Sequence, residues 1–438
     1  MSSDRAPADL LVLGASEIAT PLGNGPRGGA ELGAIQVLKD GAIAIARGKI
    51  VAVGTAAELG ARFQADRELD AAGGTIVPGF VDAHTHPVFA GTRENEFEMR
   101  TRGASYVEIA ERGGGILSSV RGVRAASAEE LLERLLVRLD RFLEHGTTTI
   151  EAKSGYGLAL EDEIKCLEVL AAAARVHPVE IVPTFLGAHD YPEEYRCRRA
   201  EYVDLVVAEM LPRVAEGRLA EYCDVFTERG FFDLDASRRI LARARDLGLG
   251  LRLHADQLSG FGAAELAAEF HAASADHLEF TTDRGIEELA RAGVVPVLCP
   301  VVPLYLRLAQ EAPARRMIDA GLAPAISTDF NPGSSYLQSM PEVVSWAALR
   351  YRMSAGEALT AATLNAAASL GRADRLGTLE PGKQADLLVL DVPNHVHLAY
   401  ELGRNPVAAV IKAGEVVLER EPSRGARAAR GARDARGV

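Results

Sequence analysis

Residues 77–86 read VPGFVDAHTH, an apolar run broken by Asp82 and ending in two histidines one residue apart, His84 and His86. On an extended strand residues i and i+2 face the same side, so both imidazoles can serve one ion. Other histidines close similar short runs: His189 in EIVPTFLGAH, His254 in LGLRLHAD and His277 in SADHLEF. Asp329 ends APAISTDF in the same way. His84, His86, His254 and Asp329 together offer three imidazoles and a carboxylate. That donor set suits Zn²⁺ or Fe²⁺, with a water completing an open catalytic site. A second pair, His395 and His397 in VPNHVHLAY, stands apart from these runs and reads as a surface or edge-strand pair.

Elements must bring these side chains together. Eight candidate strands lie in the middle of the chain: VPGFVDAHTH, TTTIEAKSG, EIVPTFLGAH, CDVFTERG, LGLRLHAD, SADHLEF, VVPVLCP and APAISTDF. Most are separated by segments of helical period such as SAEELLERLLVRLDRFLEHG. Eight β/α units in sequence predict an α/β fold, the (β/α)₈ TIM barrel, whose reactive groups sit at the C-terminal strand ends. Five of the ten histidines fall at or near such ends. A doubly wound sheet would require a glycine-rich phosphate turn after its first strand, but PVFAGTREN follows there. Gly113–Gly115 lack the Lys-Ser/Thr of a phosphate loop and read as a loop over the mouth or a plain connection. The first seventy-odd residues and those after 378 have the texture of short β-strands and turns, so both chain ends contribute to a small β domain.

The bulk properties narrow the partners. Of 438 residues, 48% are hydrophobic and 25% charged, with a formal charge of −13. A sizeable globular core is expected, and the acidic balance argues against nucleic acid or anionic membrane as the main partner. Four cysteines without CxxC spacing fit a reducing compartment. No apolar run approaches the roughly 20 residues of a membrane span, and the N-terminus lacks the pattern of a signal peptide. A soluble, cytoplasmic protein is expected. Residues 421–438, with arginines every third position among Ala and Gly, are expected to be a disordered tail.

PGFVDAHTH, HAD, ADHLE and STDFNPG together resemble the amidohydrolase superfamily, and the resemblance covers almost the whole chain. It implies a metal-dependent (β/α)₈ barrel (residues 78–376) flanked by a β-sandwich built from both termini (1–77 and 377–420). FAGTRENEFEMR, SYVEIAERGGGI, TTTIEAKSGYGL, FLGAHDYP, LHADQLS and STDFNPGSS are more specific, and resemble the imidazolonepropionase family. That family hydrolyses the cyclic amide of 4-imidazolone-5-propanoate to N-formimidoyl-L-glutamate in histidine degradation. The resemblance implies one Zn²⁺ or Fe²⁺/Fe³⁺ per subunit, a small-molecule substrate and a homodimer. Such a metal would lower the pKa of bound water and polarise the ring carbonyl. Arg93, just beyond strand one, would bind the propionate bidentately. Tyr156, His189, Gln257, Asn331, Gly333 and Ser334 would contact substrate, with His189 binding the ring or stabilising its oxygen. Another amidohydrolase of a small cyclic amide or amidine is the alternative.

Gln257 stands three residues after His254, where related deaminases carry a proton-shuttling Glu. Gln cannot take that proton, so deamination is disfavoured, and the base is expected to be Asp329, with His277 as the second candidate. Glu228, in FTERG, could bridge a second metal, but one metal is favoured. Asp82 could support the metal site from behind or serve the strand end structurally.

Overall fold

The computed structural model describes residues 5–104, 108–109 and 113–420. The tail expected at 421–438 and part of SYVEIAERGGGI lie outside the described residues. The chain divides into two compact units, one formed by Met1–Val81, Phe142–Thr148 and Ser339–Val438, the other by Asp82–Arg141 and Thr149–Gln338.

In the first unit, strands from both ends of the chain interleave. A four-stranded sheet contains Ala6–Leu13, Gly41–Ala46, Lys49–Thr55 and Phe63–Asp70. A six-stranded sheet joins Glu17–Thr20, Gln36–Lys39 and Thr75–Pro78 to Leu387–Leu390, Val407–Lys412 and Glu415–Glu419. The seam between the termini is antiparallel, pairing Leu387 with Pro78 and Leu390 with Thr75. Strand alternation sorts the side chains. Leu10, Val12, Ile43 and Ile45 enter a core shared with Ile76, Leu387, Val389 and Ile411 of the other sheet. Leu11, Ala42 and Ala44 face the opposite way, packing with Leu59 of the helix Ala56–Arg62. This is the β-sandwich expected of the two termini. His395 and His397 do not form an edge-strand pair. They lie at the helix Val396–Tyr400 and face different carboxylates, Glu17 at 2.7 Å and Glu401 at 2.8 Å.

All eight candidate barrel strands form, in one sheet ordered as in the sequence. Their cores are Phe80–Asp82, Thr147–Lys153, Glu180–Ala188, Tyr222–Thr227, Gly250–Ala255, Ser274–His277, Val295–Leu298 and Ala325–Ile326. The first and last strands are short, and side chains close the seam between them. Asp82 accepts hydrogen bonds from Thr328 N at 3.0 Å, Thr328 Oγ1 at 2.6 Å and the Ser327 hydroxyl. His86 N donates to Phe330 O at 2.9 Å, and Thr85 bridges Phe330. Asp82 thus has the structural one of its two expected roles. Burial raises its carboxyl to about 6 despite the Ser327 and Thr328 hydrogen bonds. Among the described residues, no helix is long and apolar enough to cross a membrane.

Candidate active site

Four strand ends converge at the C-terminal mouth of the barrel. His84 Nε2 and His86 Nε2 lie 3.3 Å apart, as do His86 Nε2 and His254 Nε2. Asp329 Oδ1 is 3.4 Å from Nε2 of both His84 and His86. An ion held tetrahedrally at roughly 2.0–2.1 Å spaces its ligand atoms about 3.3–3.4 Å apart, a spacing that His84, His86 and Asp329 meet among themselves and His254 meets with His86. His84, His254 and His277 form an overlapping group whose ligand atoms lie within 4.8 Å of one another. His277 therefore stands beside the predicted ligands.

The groups behind the histidines set their chemistry. His84 Nδ1 faces Asp276 Oδ2 at 2.6 Å, and His254 Nδ1 faces Asp224 Oδ2 at 3.0 Å. At His84 the hydrogen-bonded carboxylate favours the proton on Nδ1 and leaves the Nε2 lone pair for a metal, while Asp224 stands beside His254 as a charge contact. Burial and Lys153 push the His84 imidazole down, but Asp276 and Asp329 outweigh them and raise it to about 9 in the metal-free protein, so a metal would displace a proton there. Burial lowers His86 to about 4, even with Asp329 alongside. Burial opposes ionisation of Asp329, yet the adjoining His84 and His86 imidazoles hold its carboxyl well below the usual range. Asp329 adopts φ of 47°, and His277 and Leu278 lie at 76° and 69°. Left-handed backbone at non-glycine residues is costly and recurs at functional sites.

A cleft opens above the cluster. Each residue predicted to contact substrate lines it: Arg93, Tyr156, His189, Gln257, Asn331, Gly333 and Ser334. Their hydrogen bonds refine the expected roles. Arg93 gives its Nε and Nη2 edge to Glu96 Oε2, at 2.9 and 2.6 Å, while Glu96 Oε1 accepts Gly115 N at 3.1 Å. The guanidinium edge best shaped for a bidentate carboxylate is therefore already occupied, and the Nη1 end packs on Gly333. His189 Nδ1 donates to Gly155 O at 2.9 Å, so its Nε2 is an acceptor. Burial, with His86 and His254 close by, holds His189 neutral. A neutral acceptor suits a ring N–H better than a developing oxyanion.

Asn331 spends its amide on the turn, accepting Gly333 N and Ser334 N at 2.7 Å each and donating to Asp329 O and Ser334 Oγ at 2.7 Å each. Ser334 Oγ in turn reaches Asp329 Oδ2 at 3.2 Å, leaving Oδ1 toward the histidines. The Glu163 carboxylate accepts N–H groups of Gly155, Gly157 and Leu158, which fixes the loop carrying Tyr156. Glu228 does not present a bridging carboxylate. Its Oε2 accepts Leu258 N at 2.8 Å and Ser259 N at 3.1 Å, and its Oε1 accepts Arg229 N at 2.7 Å and the Ser259 hydroxyl.

Sequence reasoning missed Arg100, which lines the cleft and donates to Gly333 O at 2.6 Å. It also missed Glu279, a fully buried carboxyl whose oxygens have no hydrogen-bond partner among the described residues. Polar residues inside apolar strands were the available signal for Asp224 and Asp276, because buried polar groups need partners.

The chain belongs to the amidohydrolase family, whose pattern matches residues 75–417. That family is metal-dependent, and the His/Asp group at the barrel mouth is this chain's candidate for it. A relative from Symbiobacterium thermophilum, named imidazolonepropionase, is 49% identical over 94% of this chain and 98% of its own. Another of the same name, from Solibacter usitatus, is 49% identical over 94% and 99%. Within the wider family, the chain is thus a member of the imidazolonepropionases. Among solved structures, an adenosine deaminase from Xanthomonas campestris with bound zinc matches with a TM-score of 0.69 at 23% identity, over 99% of both chains. Guanine deaminase from E. coli matches at 0.72 and 17% identity, over 94% of this chain and all of that one. These distant likenesses concern the fold alone.

Proposed function

We propose that this protein hydrolyses the ring amide of 4-imidazolone-5-propanoate to N-formimidoyl-L-glutamate. The observation that carries the reading is one cleft with a metal-ligand cluster on its floor and two arginines, Arg93 and Arg100, in its wall. Such a cleft suits a small cyclic amide with an anionic tail. His84, His86, His254 and Asp329 would hold one Zn²⁺ or Fe²⁺/Fe³⁺. When bound, that ion supplies a Lewis acid for the ring carbonyl and lowers the pKa of water.

The chain's own residues do the rest. Arg93, held by Glu96, orients the propionate. His189 Nε2 accepts the N–H of the ring, and Tyr156, with its ring 5.2 Å from that of His189, covers one side. Water adds its oxygen to the ring carbonyl carbon, and the Asp329 carboxylate accepts its proton. The His277 ring lies 5.0 and 5.1 Å from those of His84 and His254, where its N–H can meet the developing oxyanion. The C–N bond then breaks, and the proton held at Asp329 passes to the leaving nitrogen. Gln257 cannot take up a proton and is assigned a hydrogen bond to the ring. The reading carries a cytoplasmic homodimer with no nucleic-acid or membrane partner.

The test follows the ultraviolet absorbance of freshly generated substrate with protein as purified, after chelation, and after return of Zn²⁺ or Fe²⁺. Metal-restored decay is expected. Decay no faster than the spontaneous rate with fully metal-loaded protein would overturn the reading.

A further inference from the structure

Beneath the ligand cluster lies a layer of charged side chains that the proposed reaction does not use. Glu151, Lys153, Asp224, Arg252 and Asp276 are all fully buried, at 0% exposure. They come from four barrel strands. Lys153 Nζ lies 2.8 Å from Glu151 Oε1, 2.8 Å from Asp224 Oδ2 and 3.7 Å from Asp276 Oδ2. Asp224 Oδ2 and Asp276 Oδ2 are the oxygens that face His254 Nδ1 and His84 Nδ1. One ammonium therefore ties together the carboxylates that stand behind two predicted ligands on opposite sides of the mouth. Resting on the reading that these histidines hold a metal, we propose that Lys153 is a positioning residue, whose ammonium draws Asp224 and Asp276 together and so fixes the spacing of His254 and His84.

The chemistry of the layer favours this role over plain stability. Buried ion pairs contribute little net stability, because desolvation offsets their attraction. Arg252 shares the hold on Asp276, donating a hydrogen bond to its Oδ2, while the 2.8 Å contact to Asp224 comes from Lys153. Arg252 Nη2 donates to Ala83 O at 2.8 Å and lies 3.4 Å from Asp276, with Nε 3.9 Å from Glu151. Lysine suits the bridging place because its compact ammonium has three donors without a planar constraint. Groups that orient metal-bound histidines typically alter metal affinity by about 10- to 100-fold when removed.

The test must separate positioning from charge balance. Lys153→Met alone strips a cation from three buried carboxylates and invites unfolding. The double variant Lys153→Met/Glu151→Gln removes one charge of each sign, and Gln keeps an acceptor for Thr85 N, which Glu151 Oε2 holds at 3.2 Å. Zinc affinity is measured by competition with a chromophoric chelator, and the Co²⁺-substituted protein is read by its visible absorption spectrum. The expected result is a folded variant with zinc bound about 10- to 100-fold more weakly and a changed Co²⁺ spectrum. A folded variant with either zinc affinity within threefold of wild type or an unchanged Co²⁺ spectrum overturns the proposal. Should the double variant not fold, Lys153→Gln is judged by the same criteria. Wild-type protein that binds no metal overturns the metal reading itself, a separate outcome.

Discussion

Gly333 offers a test of the anion site that leaves its charges in place. A Cβ at this position would lie 2.3 Å from Arg93 Nη1 and 2.7 Å from Cζ. Ordinary contact is about 3.5–4.0 Å, so Gly333→Ala must drive the guanidinium more than about 1 Å aside. The Glu96 contacts at 2.9 and 2.6 Å would then stretch beyond hydrogen-bonding range. Glu96 is itself held by Gly115 N. Arg93 is thus expected to lose its alignment toward the substrate carboxylate. A hydrogen bond to a charged group contributes about 1.5–3 kcal/mol, which is about 10- to 150-fold in binding. Binding energy shared by ground and transition states appears in KM, so KM should rise by that factor while kcat changes little. The assay compares kcat and KM for 4-imidazolone-5-propanoate and for 5-propyl-4-imidazolone, which lacks the carboxylate. Wild type and variant should differ on the first and converge on the second. A KM within threefold of wild type, or an equal loss on both compounds, would refute the reasoning.

Further outcomes follow from neighbouring contacts. Ser334→Ala removes the hydroxyl that holds Asp329 Oδ2; kcat should fall about tenfold, the size of a hydrogen bond of about 1.4 kcal/mol, with KM nearly unchanged. Glu163→Ala leaves three buried N–H groups without their acceptor. Urea unfolding should show a loss of about 3 kcal/mol or more, with a raised KM as the Tyr156 loop loosens. Burial, with Asp329 nearby, raises Glu279 to about 8. The metal-free native state then holds a proton that the unfolded chain, with a carboxyl near its ordinary value, releases. This contribution to stability is full below pH about 4.5 and is lost as pH rises through about 8. Glu279→Gln should therefore gain stability relative to metal-free wild type between pH 5 and 8.5, and parallel unfolding curves across that range would contradict the assignment.

Much of the barrel was legible because its strands are short β-branched runs set between long helical periods. The two-residue strand Ala325–Ile326 has little pattern of its own. It was found through STDF, and side-chain bonds from Asp82 secure it. His84 and His86 were legible through i, i+2 geometry, although both lie just past the paired strand Phe80–Asp82. His395 and His397 were rightly set apart from the site, though a short helix stands where the edge-strand alternative would have put a strand. What remained hidden depends on partners distant in sequence. Arg93 reads as a free cation until Glu96 is seen occupying its edge, and Asn331 reads as a ligand contact until its amide is seen closing the turn. Lys153 and Asp224 lie 71 positions apart on strands two and four, yet their charged atoms are 2.8 Å apart.

The most direct test of the proposed reaction is single-turnover hydrolysis in H₂¹⁸O with metal-loaded protein, analysed by mass spectrometry. Opening of the ring amide should give N-formimidoyl-L-glutamate with one ¹⁸O in the α-carboxylate and no release of ammonia. Ring opening without ¹⁸O in the α-carboxylate, or label in any other position, would contradict water attack on the ring carbonyl and the roles assigned to Asp329 and His277.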